Sequence, residues 1–195
     1  MLFLESQARL WLVVHAVLGA ATVAVTSHLV VWIRRYPRAE FGRHAAARWF
    51  ATTALVLYAA QFIVGNVVYP TYKVRVRAQY FDLPSAARVE EGARLDARRL
   101  IDERAGVSRP EAAAAPSTRD LSAVGRIFDV KEHWAALGLA AALATCLLAW
   151  AWDPRRDGAG ATSLFVALAL TAAASAWFAG VVGLVVTSHR AVGSP

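Results

Sequence analysis

Residues 10–33 read LWLVVHAVLGAATVAVTSHLVVWI and contain no Asp, Glu, Lys or Arg. At about 1.5 Å of rise per residue, a helix of this length crosses the roughly 30 Å hydrocarbon core of a bilayer. The run is too long for a signal peptide, and it is followed by arginines rather than by a small-residue cleavage site. It therefore predicts an uncleaved membrane-spanning helix.

Three further runs without formal charge occupy residues 49–69, 134–152 and 162–186. Each is long enough to span a bilayer and has aromatic residues near an end, where interfacial anchors are favoured. Long continuous runs exclude a membrane β-barrel, whose strands alternate over short segments. The fold class predicted is all-α: a single membrane domain, residues 1–195, built as an integral membrane four-helix bundle.

The one long connection, residues 70–132, is expected to be an extramembrane loop between the second and third spans. It opens with YPTYKVRVRAQYFDLP at residues 69–84, and the alternation VRVR predicts a short strand or an extended segment. Charged pairs four residues apart and a stop at Gly106 predict a helix at about residues 85–105. The third helix is expected to begin well outside the membrane.

Charge and composition narrow the location of the protein. The net charge of +7 comes from arginines in the loops, which favours contact with anionic lipid headgroups and excludes nucleic acid as the partner. Arginines concentrate in the two short loops, so the positive-inside rule places these in the cytoplasm and the long loop in the periplasm. Abundant arginine and alanine indicate a bacterial protein, and hence the bacterial inner membrane. The single cysteine, Cys146, excludes an intramolecular disulfide and a covalent haem motif.

Three histidines lie at the ends of different spans. His15 is inside the first span, His133 begins the third and His189 follows the fourth. Because successive spans run in opposite directions, all three fall on the side of the long loop. An ionisable side chain inside a span is costly there and marks a candidate functional site. His28 and His44 fall on the opposite side, where His44 is expected to be solvated in the basic loop.

A haem b site is the first interpretation of these histidines. The first and third spans of an antiparallel bundle are diagonal, so His15 and His133 could supply two axial ligands in the bundle core. Gly19, one turn from His15, would let a porphyrin edge approach the backbone, and Asn66 could bond an imidazole, a haem propionate or a quinone. His189 would then act as a hydrogen-bonding neighbour of the cofactor.

Two other interpretations stay open. His15, His133 and His189 could together ligate copper, zinc or iron, with Asp129 and Glu132 completing the site. Alternatively, His133 and His189 are interfacial hydrogen-bonding residues without a cofactor, and the glycines serve only close helix packing.

His15 in the first span, GRH at residues 42–44 and EHWAALGLA at residues 132–140 resemble small four-helix bacterial membrane proteins with dispersed histidines. That group includes b-type cytochromes and membrane proteins that assemble terminal oxidases. The resemblance implies haem or copper chemistry in a respiratory membrane, with quinone or other respiratory-complex subunits as partners. The expected function is b-type cytochrome-like electron transfer. The alternatives are oxidase assembly or metal handling, and a cofactor-free scaffold subunit.

Overall fold

The computed structural model describes residues 7–107 and 118–189, and these residues form helices and turns without a β-strand. The five α-helices are α1 (Ala8–Ile33), α2 (His44–Thr71), α3 (Pro84–Ala105), α4 (Thr118–Ala151) and α5 (Thr162–His189). A short 3₁₀ turn (Tyr36–Arg38) follows α1, and a π-helical segment (Tyr72–Phe81) continues α2. The prediction of an all-helical chain is confirmed.

Four of the helices, α1, α2, α4 and α5, are long and apolar enough to cross a membrane, which confirms the count of four spans. In space α1 packs against α2 and α5, and α4 packs against the same two helices. The end of these helices that adjoins the π-helical segment is called the long-loop end here. The other end, which carries residues 34–43 and 152–161, is called the short-loop end.

Large apolar side chains cover the outer faces of the four long helices. Those more than half exposed include Val17, Val56, Leu147 and Leu184. A water-soluble domain rarely leaves so much contiguous apolar surface uncovered, whereas hydrocarbon solvates it without cost. The interior, by contrast, is rich in alanine and small hydroxyl residues, as is typical of membrane helices in close contact.

The VRVR prediction of a strand or extended segment is wrong, because residues 72–81 are π-helical. The buried side chains explain the outcome: Tyr72, Val76 and Tyr80 recur every four residues and pack in the apolar cluster at the long-loop end. This helical spacing prevails over the two-residue alternation. Pro70, which lacks an N–H, lies just before the segment, where a proline disturbs the regular hydrogen-bond ladder.

Arg77 fastens the π-helical segment to α4. Its guanidinium contacts the carboxylates of Asp82 and Asp129, at 3.0 and 2.9 Å, and donates a hydrogen bond to the backbone oxygen of Gly125. The chain then enters α3, which ends at Gly106 with φ of +65°, a conformation that favours glycine.

At the short-loop end, Asp157 closes the turn between α4 and α5. Its carboxylate accepts hydrogen bonds from the Arg156 side chain and from the backbone N–H of Asp153. These bonds lower the pKa of the Asp157 carboxyl to about 2. The turn therefore keeps this negative charge at any physiological pH.

Candidate functional site

Three polar side chains enter the space among the long helices near the long-loop end, and each lies against a glycine of another helix. A Cβ added at Gly65 would stand 3.2 Å from His15 Cε1, and one at Gly183 would stand 3.3 Å from Lys131 Nζ. A Cβ added at Gly19 would stand 3.0 Å from Gln61 Nε2. The glycines therefore provide the room in which His15, Gln61 and Lys131 fit. These three side chains are called the interior polar site.

His15 presents a ring nitrogen without a hydrogen-bond partner in this site. This atom, Nδ1, is buried. When Nε2 carries the proton, Nδ1 carries a lone pair that can accept a hydrogen bond. A buried polar atom without a partner is costly, so it calls for an explanation. A bound ligand that donates a hydrogen bond to Nδ1 would supply one.

Lys131, on α4, brings a hydrogen-bond donor to the interior polar site. Its side chain is partly buried, and its Nζ lies 5.0 Å from the centre of the Phe128 ring. Trp11 lies one turn before His15 on α1, and its indole Nε1 is also buried without a hydrogen-bond partner. The interior polar site and Trp11 thus combine an acceptor with two donors in an apolar environment.

His133 lies on the opposite face of α4 from Lys131. Two residues of an α-helix are about 200° apart around its axis, so an inward Lys131 directs His133 outward. The His133 side chain is exposed, and its Nδ1 is 3.0 Å from the backbone oxygen of Asp129. His15 and His133 therefore do not face each other across the interior.

The other candidate residues are also dispersed. The ring of His189 packs at 6.5 Å from that of Phe81, and its backbone oxygen accepts a hydrogen bond from Arg94. Asn66 is exposed and donates to the backbone oxygen of Phe62 in its own helix. Within residues 7–107 and 118–189, no three His, Cys, Asp or Glu side chains are placed to hold a metal ion. The structure thus does not bring His15, His133 and His189 together.

The expectation that His44 is solvated is wrong. Its side chain is only 4% exposed and lies at the short-loop end between two partners. The Nε2 atom is 2.9 Å from the backbone oxygen of Trp152, which only accepts, so Nε2 carries the proton. The hydroxyl of Tyr36 then donates to Nδ1 at 2.8 Å. His44 is a fully hydrogen-bonded link between the start of α2 and the end of α4.

Sequence reasoning missed Lys131, although a signal for it exists. Lys131, Gly138 and Thr145 are spaced by seven residues and share one face of α4, and the last two are buried. The corresponding positions after His133, such as Leu137 and Ala140, are exposed. A small or polar stripe within an otherwise apolar span marks its inward face, and this stripe passes through Lys131 rather than through His133.

Comparisons of the chain with protein-family models, with curated proteins and with solved structures found no match. The chemistry of the interior polar site is therefore the basis for assigning a function.

Proposed function

We propose that this chain is an integral membrane four-helix bundle that binds a quinone-class ligand near its long-loop end and takes part in membrane electron transfer. One observation carries the proposal: His15 Nδ1 is buried without a hydrogen-bond partner, and His15 and the Lys131 amine both lie against glycines of neighbouring helices near the long-loop end. Ligand sites are typically apolar with a few convergent polar groups, which is the composition found here.

The two groups match the two states of a quinone head. A quinone carbonyl only accepts hydrogen bonds, and Lys131 Nζ or Trp11 Nε1 would donate them. The hydroxyl of the reduced quinol donates, and His15 Nδ1 would accept its proton. Oxidation of a quinol releases two electrons and two protons, so a proton acceptor at the ring is useful to the reaction. The electron partner in this proposal is a redox centre of another respiratory subunit.

A haem b held by His15 and His133, as the sequence suggests, stays a prediction, although the exposed side chain of His133 does not favour it. Haem b or copper bound in another arrangement stays a prediction. A reduced-minus-oxidised spectrum of the purified protein checks it. An α-band of the b type would favour a cytochrome, and bound copper without haem would favour oxidase assembly or metal handling.

The quinone site is tested by photolabelling the protein in lipid nanodiscs with an azidoquinone, in competition with unlabelled quinone. A hydrogen bond to a charged group contributes about 1.5–3 kcal/mol, so Lys131→Met should weaken binding about tenfold or more. His15→Ala should weaken it by a similar factor. His133→Ala is the matched control, and it should leave labelling unchanged because the residue faces outward.

Equal labelling of all four proteins, or labelling that unlabelled quinone does not compete away, would overturn the quinone assignment. Loss of labelling in His133→Ala together with retention in Lys131→Met would show instead that the outward face of α4 holds the ligand.

The proposal places the protein in the bacterial inner membrane with the long loop in the periplasm. Leu100 on α3 and Ala159 in the short loop are both exposed and lie at opposite ends. In a Cys146→Ala background, an impermeant thiol reagent applied to intact cells should label Leu100→Cys but not Ala159→Cys. The reverse pattern would place the long loop in the cytoplasm.

A further inference from the structure

A second site lies at the short-loop end, far from the interior polar site. A cavity of about 440 Å³ opens between the end of α1 and the start of α2. It is lined by His28, Val31, Trp32, Arg34, Arg35, Glu40, Gly42 and Arg43. Because α1 leaves its apolar run at Ile33, this cavity lies at the level where lipid headgroups meet water.

The charge of this cavity is positive. Three arginines face a single carboxylate, Glu40, which is paired with Arg35 at 3.2 Å. Arg34 and Arg43 have no carboxylate within salt-bridge distance in the part of the chain that the structure describes. The Arg43 guanidinium lies 4.5 Å from the centre of the Trp32 ring, which fixes its position without neutralising its charge. Two guanidinium groups are thus available to an anion.

The walls of the cavity change from polar to apolar toward the membrane. The ring of His28 stacks on Phe50 at 5.7 Å, and Val31 is 54% exposed on the lipid-facing surface of α1. At the rim, Arg155 donates to the backbone oxygen of Gly42 and brings a further cation from the α4–α5 turn. A ligand that fits this profile has an anionic head and an apolar body that continues along α1.

We infer that this cavity binds the phosphate diester of an anionic phospholipid such as phosphatidylglycerol. Arg34 and Arg43 donate hydrogen bonds to the phosphate oxygens, since guanidinium groups match phosphate geometry. The acyl chains lie against Val31 and the outer face of α1. A free phosphate shares the head chemistry but not the apolar contact, so the lipid is the occupant that uses both parts of the cavity.

The test is native mass spectrometry of the full-length protein released from mixed detergent and lipid micelles that contain phosphatidylglycerol and phosphatidylcholine in equal amounts. Wild-type protein should retain phosphatidylglycerol selectively. Each basic group near an anionic surface contributes a factor of roughly five, so Arg34→Gln/Arg43→Gln should lower that retention by about 25-fold. Arg34→Lys/Arg43→Lys, which keeps the charge, should recover part of it.

The matched control is Arg38→Gln/Arg156→Gln. It removes the same charge from the same end of the protein but outside the cavity lining, and it should retain lipid as the wild type does. If both double variants lost phosphatidylglycerol equally, retention would depend only on the general surface charge, and the inference would be overturned. Displacement of the lipid by soluble glycerol phosphate at equal concentration would assign the site to a free phosphate compound. Lack of preference for phosphatidylglycerol in the wild type would also overturn it.

Discussion

His15, inside α1, and His44, the first residue of α2, lie toward opposite ends of the four long helices, and their surroundings differ. At the short-loop end both ring nitrogens of His44 have partners, Tyr36 and the Trp152 backbone. At the long-loop end the Nδ1 atom of His15 is buried without a partner. A buried histidine whose ring nitrogens are both hydrogen-bonded stabilises the fold. A histidine with an unpartnered ring nitrogen can form a further hydrogen bond to a ligand.

The same contrast extends to the residues around them. Arg48, near His44, donates a hydrogen bond to the backbone oxygen of Ala149 and lies 3.6 Å from the carboxylate of Asp153. Its charge is therefore paired within the protein. Lys131, near His15, lies against the backbone at Gly183 and the face of a phenyl ring. The short-loop end is therefore expected to govern stability, and the long-loop end to govern binding.

The largest effect on stability is expected for His44→Ala. The substitution leaves the Tyr36 hydroxyl and the Trp152 backbone oxygen without their partner and opens a cavity among aromatic rings. We expect the free energy of unfolding to fall by about 2–4 kcal/mol, measured by denaturant titration in detergent. Binding of quinone should not change.

His28→Ala is the control for this experiment. His28 is exposed and stacks on Phe50, so its loss should cost less than about 1 kcal/mol. An equal cost for both substitutions would mean that the hydrogen bonds of His44 contribute nothing specific.

The next effect in size concerns Gly138, at the middle of α4. A Cβ there would overlap the hydroxyl of Tyr58 and stand 2.8 Å from Ser175 Cβ, and the Tyr58 hydroxyl donates to the backbone oxygen of Ala172 at 2.7 Å. Gly138→Ala should therefore lower the free energy of unfolding by about 1–3 kcal/mol.

Gly180→Ala provides the comparison, because its added Cβ meets Val23 at an ordinary 3.8 Å and should cost little. Tyr58→Phe in the Gly138→Ala background should recover part of the loss by removing the overlapping hydroxyl. Equal stability of the two alanine variants would contradict the role assigned to Gly138.

The positions of the spans follow from the sequence because they depend on local length and hydropathy. Residues 10–33 contain no formally charged side chain and are long enough to cross a bilayer, so the sequence alone indicates a membrane-spanning helix. The local pattern of residues 72–81 predicts a strand or an extended segment, because it does not contain the residues of α4 and α5 that share an apolar cluster with Tyr72 and Val76.

The rotation of each helix about its axis is harder to predict. Because α4 is apolar on nearly every side within the membrane, hydrophobicity does not say whether Lys131 or His133 faces inward. One partner of His44 is likewise distant, since Trp152 is 108 residues away along the chain. Gly19, Gly65 and Gly183 mark inward faces, and each accommodates a polar side chain of a neighbouring helix.

A smaller effect on stability is expected for His15→Ala. The substitution removes a buried nitrogen that has no partner, so the lost packing is offset by relief of an unsatisfied group. The free energy of unfolding should change by less than about 1 kcal/mol in the absence of ligand, while quinone binding weakens about tenfold or more. A loss of stability as large as that of His44→Ala would show that the two histidines are both structural.

The smallest effect is expected for His133→Ala, which compares the outward face of α4 with the inward face at Lys131. The His133 side chain is exposed, and the backbone oxygen of Asp129 that it contacts is part of the same helix. Its removal should shift the free energy of unfolding by no more than about 0.5 kcal/mol and leave quinone binding unchanged.

The spectrum of the purified variant adds a second readout, because the loss of an axial ligand changes the spectrum of a bound haem. If wild-type protein showed a b-type band that His133→Ala abolished, α4 would have to present His133 inward in the loaded protein. Such a result would require a rotation of about half a turn from the arrangement in which Lys131 contacts α5, and it would restore His15 and His133 as the ligand pair.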